Sequence, residues 1–275
     1  MFATVYRKCL RDQRRGLIGW SLGIVALVLL ESALWPSISG ISGLKQMLDS
    51  YPESLRKLFA IDEFTSGMGF LNTELYSMML PILFLVFAIS RGARAVAGEE
   101  ETGTLEVLLI TRVTPMRLLL EQSAVLLTGL ALLGTVLFAA VMACSALFGM
   151  HVGVGAAATG SAAMIALAAP FGGLALALGA ATGRRRTALA GASVAAVGAY
   201  VLYAASKIVD AVRPWGPWSP FQQALADGPM GGGPRPRPRR VCVVGRAMGG
   251  GGRAGFKPPP ITALGVGGGV KKKQT

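Results

Sequence analysis

The stretch QSAVLLTGLALLGTVLFAAVMACSALFGMHVGVGAAATGSAAMIALAAPFGGLALALGAATG, residues 122–183, contains no Asp, Glu, Lys or Arg. A bilayer's hydrocarbon core takes about 20 apolar residues per helix, so this run is far too long for one crossing. Gly149-Met150-His151-Val152-Gly153 is its natural break, and the run therefore predicts two spans, 122–148 and 155–181. Working outward, residues 16–35 form another apolar run, interrupted only by Glu31. Residues 75–90 form a further one, which Asn72 and Thr73 extend toward the headgroups to give a span over 72–90. Residues 187–206 complete the set. The predicted fold class is all-α, a polytopic transmembrane helical bundle with five spans. Composition agrees: the 275 residues are 52% hydrophobic and 15% charged, where soluble domains carry about 25% charge. The first run is longer than a signal-peptide core and no small-residue cleavage site follows it, so it reads as a retained helix.

Basic residues orient the spans, because Lys and Arg near span ends favour the cytoplasm. Arg7, Lys8, Arg11, Arg14 and Arg15 precede the first span. Arg91, Arg94, Arg112 and Arg117 lie between the second and third, and Arg184, Arg185 and Arg186 between the fourth and fifth. These segments share one side and outnumber Lys45, Arg56, Lys57, Lys207 and Arg213 on the other. The expectation is a multi-pass membrane protein with its N-terminus in the cytoplasm. Within residues 1–15, Phe2, Val5, Tyr6, Cys9 and Leu10 recur at helical spacing against the basic set. That pattern predicts an amphipathic helix in the cytoplasmic interface, its basic face toward anionic lipid. Outside, residues 36–71 form a long loop whose apolar positions suggest two short surface helices.

The cytoplasmic loop 91–121 is the most informative segment. Three consecutive acids, Glu99 to Glu101, precede Gly103-Thr104-Leu105-Glu106 and then Val107, Leu108 and Leu109. Thr104 suits a helix N-cap, and Glu106 falls in the first turn, where the helix dipole favours an anion. A short helix with one apolar face is thereby presented to the cytosol, a form that docks into a partner's groove or lies against the bilayer.

The stretch GEEETGTLEVLLITRVTPMRLLL, residues 98–120, resembles the cytoplasmic loop of the ABC-2 type permeases of bacterial exporters. Glu99, Glu100, Gly103, Thr104, Leu105, Glu106, Leu108, Leu109, Val113 and Arg117 match that pattern. Arg112 stands where Pro is usual and Pro115 where Arg is common, which shifts the turn. Trp218-Ser219-Pro220-Phe221 is similar to the segment preceding that family's last span, and the resemblance covers residues 1–228. It implies that the loop is a coupling helix docking on a separate ABC ATPase subunit, which binds ATP and Mg. It also implies the bacterial cell membrane as location, a second permease copy, in a homodimer or heterodimer, and a drug-, antibiotic- or lipid-like small molecule as cargo.

The chemistry of an enzyme is missing from the sequence. No G-x-x-x-x-G-K-[ST] occurs, so the chain itself has no cradle for a nucleotide's phosphates. His151 is the sole histidine and reads as a turn residue; Cys9, Cys144 and Cys242 are scattered. We expect no catalytic residue, no metal site, no cofactor in this chain and no nucleic-acid partner. Spans three to five hold no ionisable group of the kind ion-driven transporters place at mid-membrane. Glu31 and Glu74 lie near the outer ends of their spans, and Pro81 bends the second. These three are the candidate substrate-path residues. Two competing readings remain, an ATP-independent transporter and a membrane-anchored interaction or immunity protein, and the Gly103-Thr104-Leu105-Glu106 loop favours the exporter.

The permease domain is expected over residues 16–227. Beyond it, residues 228–275 are rich in Gly and Pro, with ten Lys and Arg and no acid. This composition builds no core, and the tail supplies most of the chain's net charge of +13. It reads as a disordered basic segment, an aberrant or frame-shifted continuation where the ABC-2 family has a sixth span.

Overall fold

The fold comes from a computed structural model that describes residues 2–39, 66–95, 115–225 and 228–230. Among the described residues every regular element is helical. Helix α1 spans Phe2–Ser39, α2 Gly67–Leu71, a π-helical segment Asn72–Met79, and α3 Leu80–Ala95. Then come α4 (Pro115–Phe148), α5 (Val154–Thr182), α6 (Arg185–Ile208), a 3₁₀ turn (Arg213–Trp218) and α7 (Pro220–Leu225). Five stretches are long and apolar enough to cross a membrane: Gln13–Ser37, Gly67–Ala95, Met116–Phe148, Val154–Thr182 and Arg185–Ile208. The all-α polytopic fold expected from run length is the fold observed.

Local chemistry sets the helix ends. The break between the third and fourth spans falls where the glycines stand. Gly149 adopts φ +63°, a left-handed conformation that glycine reaches without steric cost. His151 follows at φ +53°, and the buried Ser145 hydroxyl accepts the Val152 N–H at 2.9 Å, closing the turn. Gly183 ends α5 in the same left-handed way, donating its N–H to the Gly179 carbonyl. Inside the spans, hydroxyls find partners on their own helix. Thr128, Thr135 and Ser161 donate to the carbonyls of Ala124, Ala131 and Ala157, which lets them sit in an apolar medium.

Two spans extend further than run length predicts. The second helix begins at Gly67, capped by the Ser66 hydroxyl accepting the Gly69 N–H at 3.0 Å. The third begins at Pro115, where Arg117 pairs with Glu121 one turn on, at 3.2 Å. Pro81 stands at the head of α3, where the helix changes form. It has no N–H to return to the preceding turn; the helix before it widens to the π form, and Leu80 donates to Leu75, five residues back. At the N-terminus, the backbone is helical without a break from Phe2 to Ser39, with Arg11, Arg14 and Arg15 exposed on this helix.

Contacts fix the direction of each helix. Trp20 meets Phe87 edge-on at 5.8 Å and Trp35 meets Phe70 at 5.7 Å, so α1 and the second span run antiparallel. Tyr76 packs on Gly160 and Ala88 on Gly172, so the second span runs parallel to α5. Short turns make α4–α5 and α5–α6 antiparallel. The arginine-bearing ends of α1, α3, α4 and α6, with Arg184 just beyond α5, therefore gather at one end of the bundle. Beyond α6 the chain turns back into the protein. The Ser219 hydroxyl donates to the Ala199 carbonyl at 2.8 Å, and buried Phe221 sits among Phe171, Tyr200 and Tyr203. Irregular backbone at this depth is tolerated because protein, not lipid, surrounds it. The outer faces of α1 (Ile18, Leu22, Val25, Leu29) and α6 (Val194, Val197, Val201) stay exposed. Apolar stripes of this kind suit lipid or a neighbouring helix.

Candidate functional site

Two regions carry the candidate residues. The first is the loop joining α3 to α4 at the arginine-rich end. Glu99, Glu100, Gly103, Thr104, Leu105, Glu106, Leu108 and Leu109 lie outside the described residues, as do the expected surface helices of the first external loop. Of the loop set, Arg117 is described: it occupies the first turn of α4 and forms the ion pair with the buried Glu121. An arginine at a helix N-terminus opposes the helix dipole, and the carboxylate one turn on offsets that charge.

The second region lies at the opposite end of the bundle, around the π-helical segment. Glu31 is buried on α1, and Glu74 lies across from it, within electrostatic range, in the register set by the Trp35–Phe70 pair. Ser32 is fully buried beside Cys144 of α4. On the other side, Asn72 and Tyr76 are buried against α5, with Tyr76 next to Ser161. The Asn72 side-chain oxygen accepts the Met230 N–H at 3.2 Å, which ties the end of the described chain to this layer. The Ser32 hydroxyl lies against the Cys144 thiol, and among the described residues the Asn72 side-chain nitrogen has no hydrogen-bond partner, although buried polar atoms are paired in the great majority of cases. The structure thus brings Glu31 and Glu74 together. Pro81 lies below them, buried in α3. Sequence reading missed Ser32, Asn72 and Tyr76 as members of this layer. Asn72 had a signal, a polar residue opening an apolar run, which was read as a headgroup flank.

Among the described residues no group of three metal-ligating side chains converges. Five helices long and apolar enough to cross a membrane define a multi-pass helical membrane protein. The chain belongs to the family described as "Multidrug efflux system permease Rv1217c, C-terminal domain", which matches residues 8–230. The match stops where the Gly/Pro-rich composition of the tail begins. No curated protein and no solved structure matches the chain.

Proposed function

We propose that this chain is the membrane-spanning permease subunit of an ABC-type exporter, passing a drug- or lipid-like small molecule while a separate subunit binds ATP and Mg. The observation that carries the reading is the match of residues 8–230 to a multidrug efflux permease family, in a chain with no phosphate-binding loop of its own. The segment Glu99 to Leu109 is the docking element for the ATPase, and the gathering of basic helix ends at that pole supports a cytoplasmic placement. Arg7, Lys8, Arg11, Arg14 and Arg15 hold the start of α1 at anionic lipid. The exposed stripe on α1 or α6 meets a second permease copy, and Glu31, Glu74 and Pro81 border the substrate path. Residues 231–275 play no part in this assignment.

Inverted membrane vesicles containing the chain and a co-expressed candidate ABC ATPase subunit test the energy source. ATP should drive accumulation of a fluorescent amphiphilic drug, at an initial rate unchanged by a protonophore. Accumulation that persists without ATP and collapses with the protonophore would instead support an ion-driven transporter.

A further inference from the structure

We infer that residues 208–218, where the chain leaves α6, are a membrane-interface anchor, seated in the phospholipid headgroups of one leaflet through Trp215 and Trp218. The 3₁₀ turn Arg213–Trp218 exposes these two rings, at 63% and 65%, beside the exposed Ile208 and Val209. An apolar patch of this kind marks a contact surface. Yet the same turn carries the Arg213–Asp210 ion pair, 3.1 Å long and with both side chains exposed, and such charges keep their water. The bilayer interface offers an apolar and a wet side together, and tryptophan concentrates there because its ring is apolar and its N–H a donor. The charges also match a zwitterionic headgroup, Lys207 and Arg213 the phosphate and Asp210 the amine. A second copy of the chain docking here would instead strip the ion pair of water, which is costly.

Position and backbone agree. Arg184, Arg185 and Arg186 stand at the other end of α6, so the turn lies at the opposite face of the bilayer. Lys207, in the last turn of the span, lays its Nζ 4.9 Å from the centre of the Tyr203 ring, as long cationic side chains do when they reach for headgroups. The N–H groups of Val209, Val212, Arg213, Trp215 and Ser219 donate to the carbonyls of Ala205, Val209, Asp210, Val212 and Gly216. Pro214 and Pro217 have no N–H to satisfy. A turn paired in this way enters a water-poor layer at small cost. The two indoles also differ in depth. Gly216 packs on Ser206, whereas Ser219 bonds to Ala199, seven residues nearer the middle of α6. At 1.5 Å per residue the chain descends about 10 Å between them, which puts Trp218 deeper than Trp215.

The test reads tryptophan fluorescence from the full chain in nanodiscs; it needs no ATPase and is separate from the transport assay. Trp20→Phe and Trp35→Phe keep a ring against Phe87 and Phe70 and leave Trp215 and Trp218 as the emitters. Adding Trp215→Phe or Trp218→Phe isolates one indole. Phosphatidylcholine brominated high on its acyl chains should quench most of the emission of each, Trp218 more than Trp215. Lipid brominated near the chain ends should quench both less, and aqueous iodide should reach Trp215 more than Trp218. Emission untouched by either brominated lipid would overturn the proposal. Quenching by iodide would then place the turn in water, and protection from iodide would place it against protein, such as a second copy. Stronger quenching from the chain ends, or a reversed order of the two indoles, would overturn it as well. Trp215→Phe combined with Trp218→Phe in the otherwise wild-type chain gives a second reading that leaves the buried rings intact. Quenching by the first brominated lipid should fall well below that of wild type, and an unchanged value would count against the anchor.

Discussion

Replacing Gly92 with valine should prevent the bundle from assembling. A side chain at this position would run directly into the backbone carbonyl of Gly172 and the Ala175 methyl, so two helix backbones would have to separate. In a membrane, helices associate through close van der Waals packing of small residues rather than by the hydrophobic effect, and a backbone contact of this kind is where that packing is tightest. Gly172 is itself hemmed in by Leu126 and Ala88, so the strain has no soft neighbour to absorb it. Overpacking a close-fitted core costs about 1–3 kcal/mol even where side chains can yield; here we expect a loss of about 3 kcal/mol or more for alanine and no monodisperse protein for valine. Size-exclusion chromatography after heating measures this. Gly23→Ala is the control, since nothing lies within 4 Å of a side chain there, and it should leave stability equal to or slightly above wild type.

The second large effect concerns the re-entrant segment. Phe221→Ala should lower stability by about 3–5 kcal/mol, the range for emptying a buried phenylalanine site. Its ring lies 5.4 Å from Tyr200, 6.1 Å from Phe171 and 6.3 Å from Tyr203, so it joins α5 and α6 to the returning chain. Thermal unfolding in detergent should show the loss. Trp218→Ala, three residues earlier and 65% exposed, should change the midpoint by little. Equal effects at the two positions would mean that the segment does not dock as described.

The contrast between these predictions and the sequence reading shows what composition encodes. Span existence was legible because lipid imposes a length rule, and 122–183 satisfies it twice over with glycines at the break. The His151 turn was legible for the same reason. Span boundaries were less so. Asn72 and Thr73 look like headgroup residues to a hydropathy count, yet they are buried by protein inside a helix that starts at Gly67. Arg117 looks like the end of a loop, but its pairing with Glu121 admits both residues to α4. The Gly92–Gly172 contact was not legible, since in a chain with 37 glycines nothing local separates a packing glycine from a filler. The facing of Glu31 and Glu74 depends on the register between two helices, which a single sequence does not reveal. The loop that suggests ATPase docking is, conversely, known from its sequence pattern alone.

Docking of that loop on an ATPase is the central claim, and co-purification tests it most directly. The chain, tagged and extracted from membranes of cells that co-express a candidate ABC ATPase subunit, is compared with Glu106→Lys, which reverses the charge in the predicted helix's first turn. Wild type should retain the ATPase in near-equal amount, and Glu106→Lys should lose most of it while remaining folded. Wild type that retains no ATPase, even with residues 231–275 removed, would contradict the account.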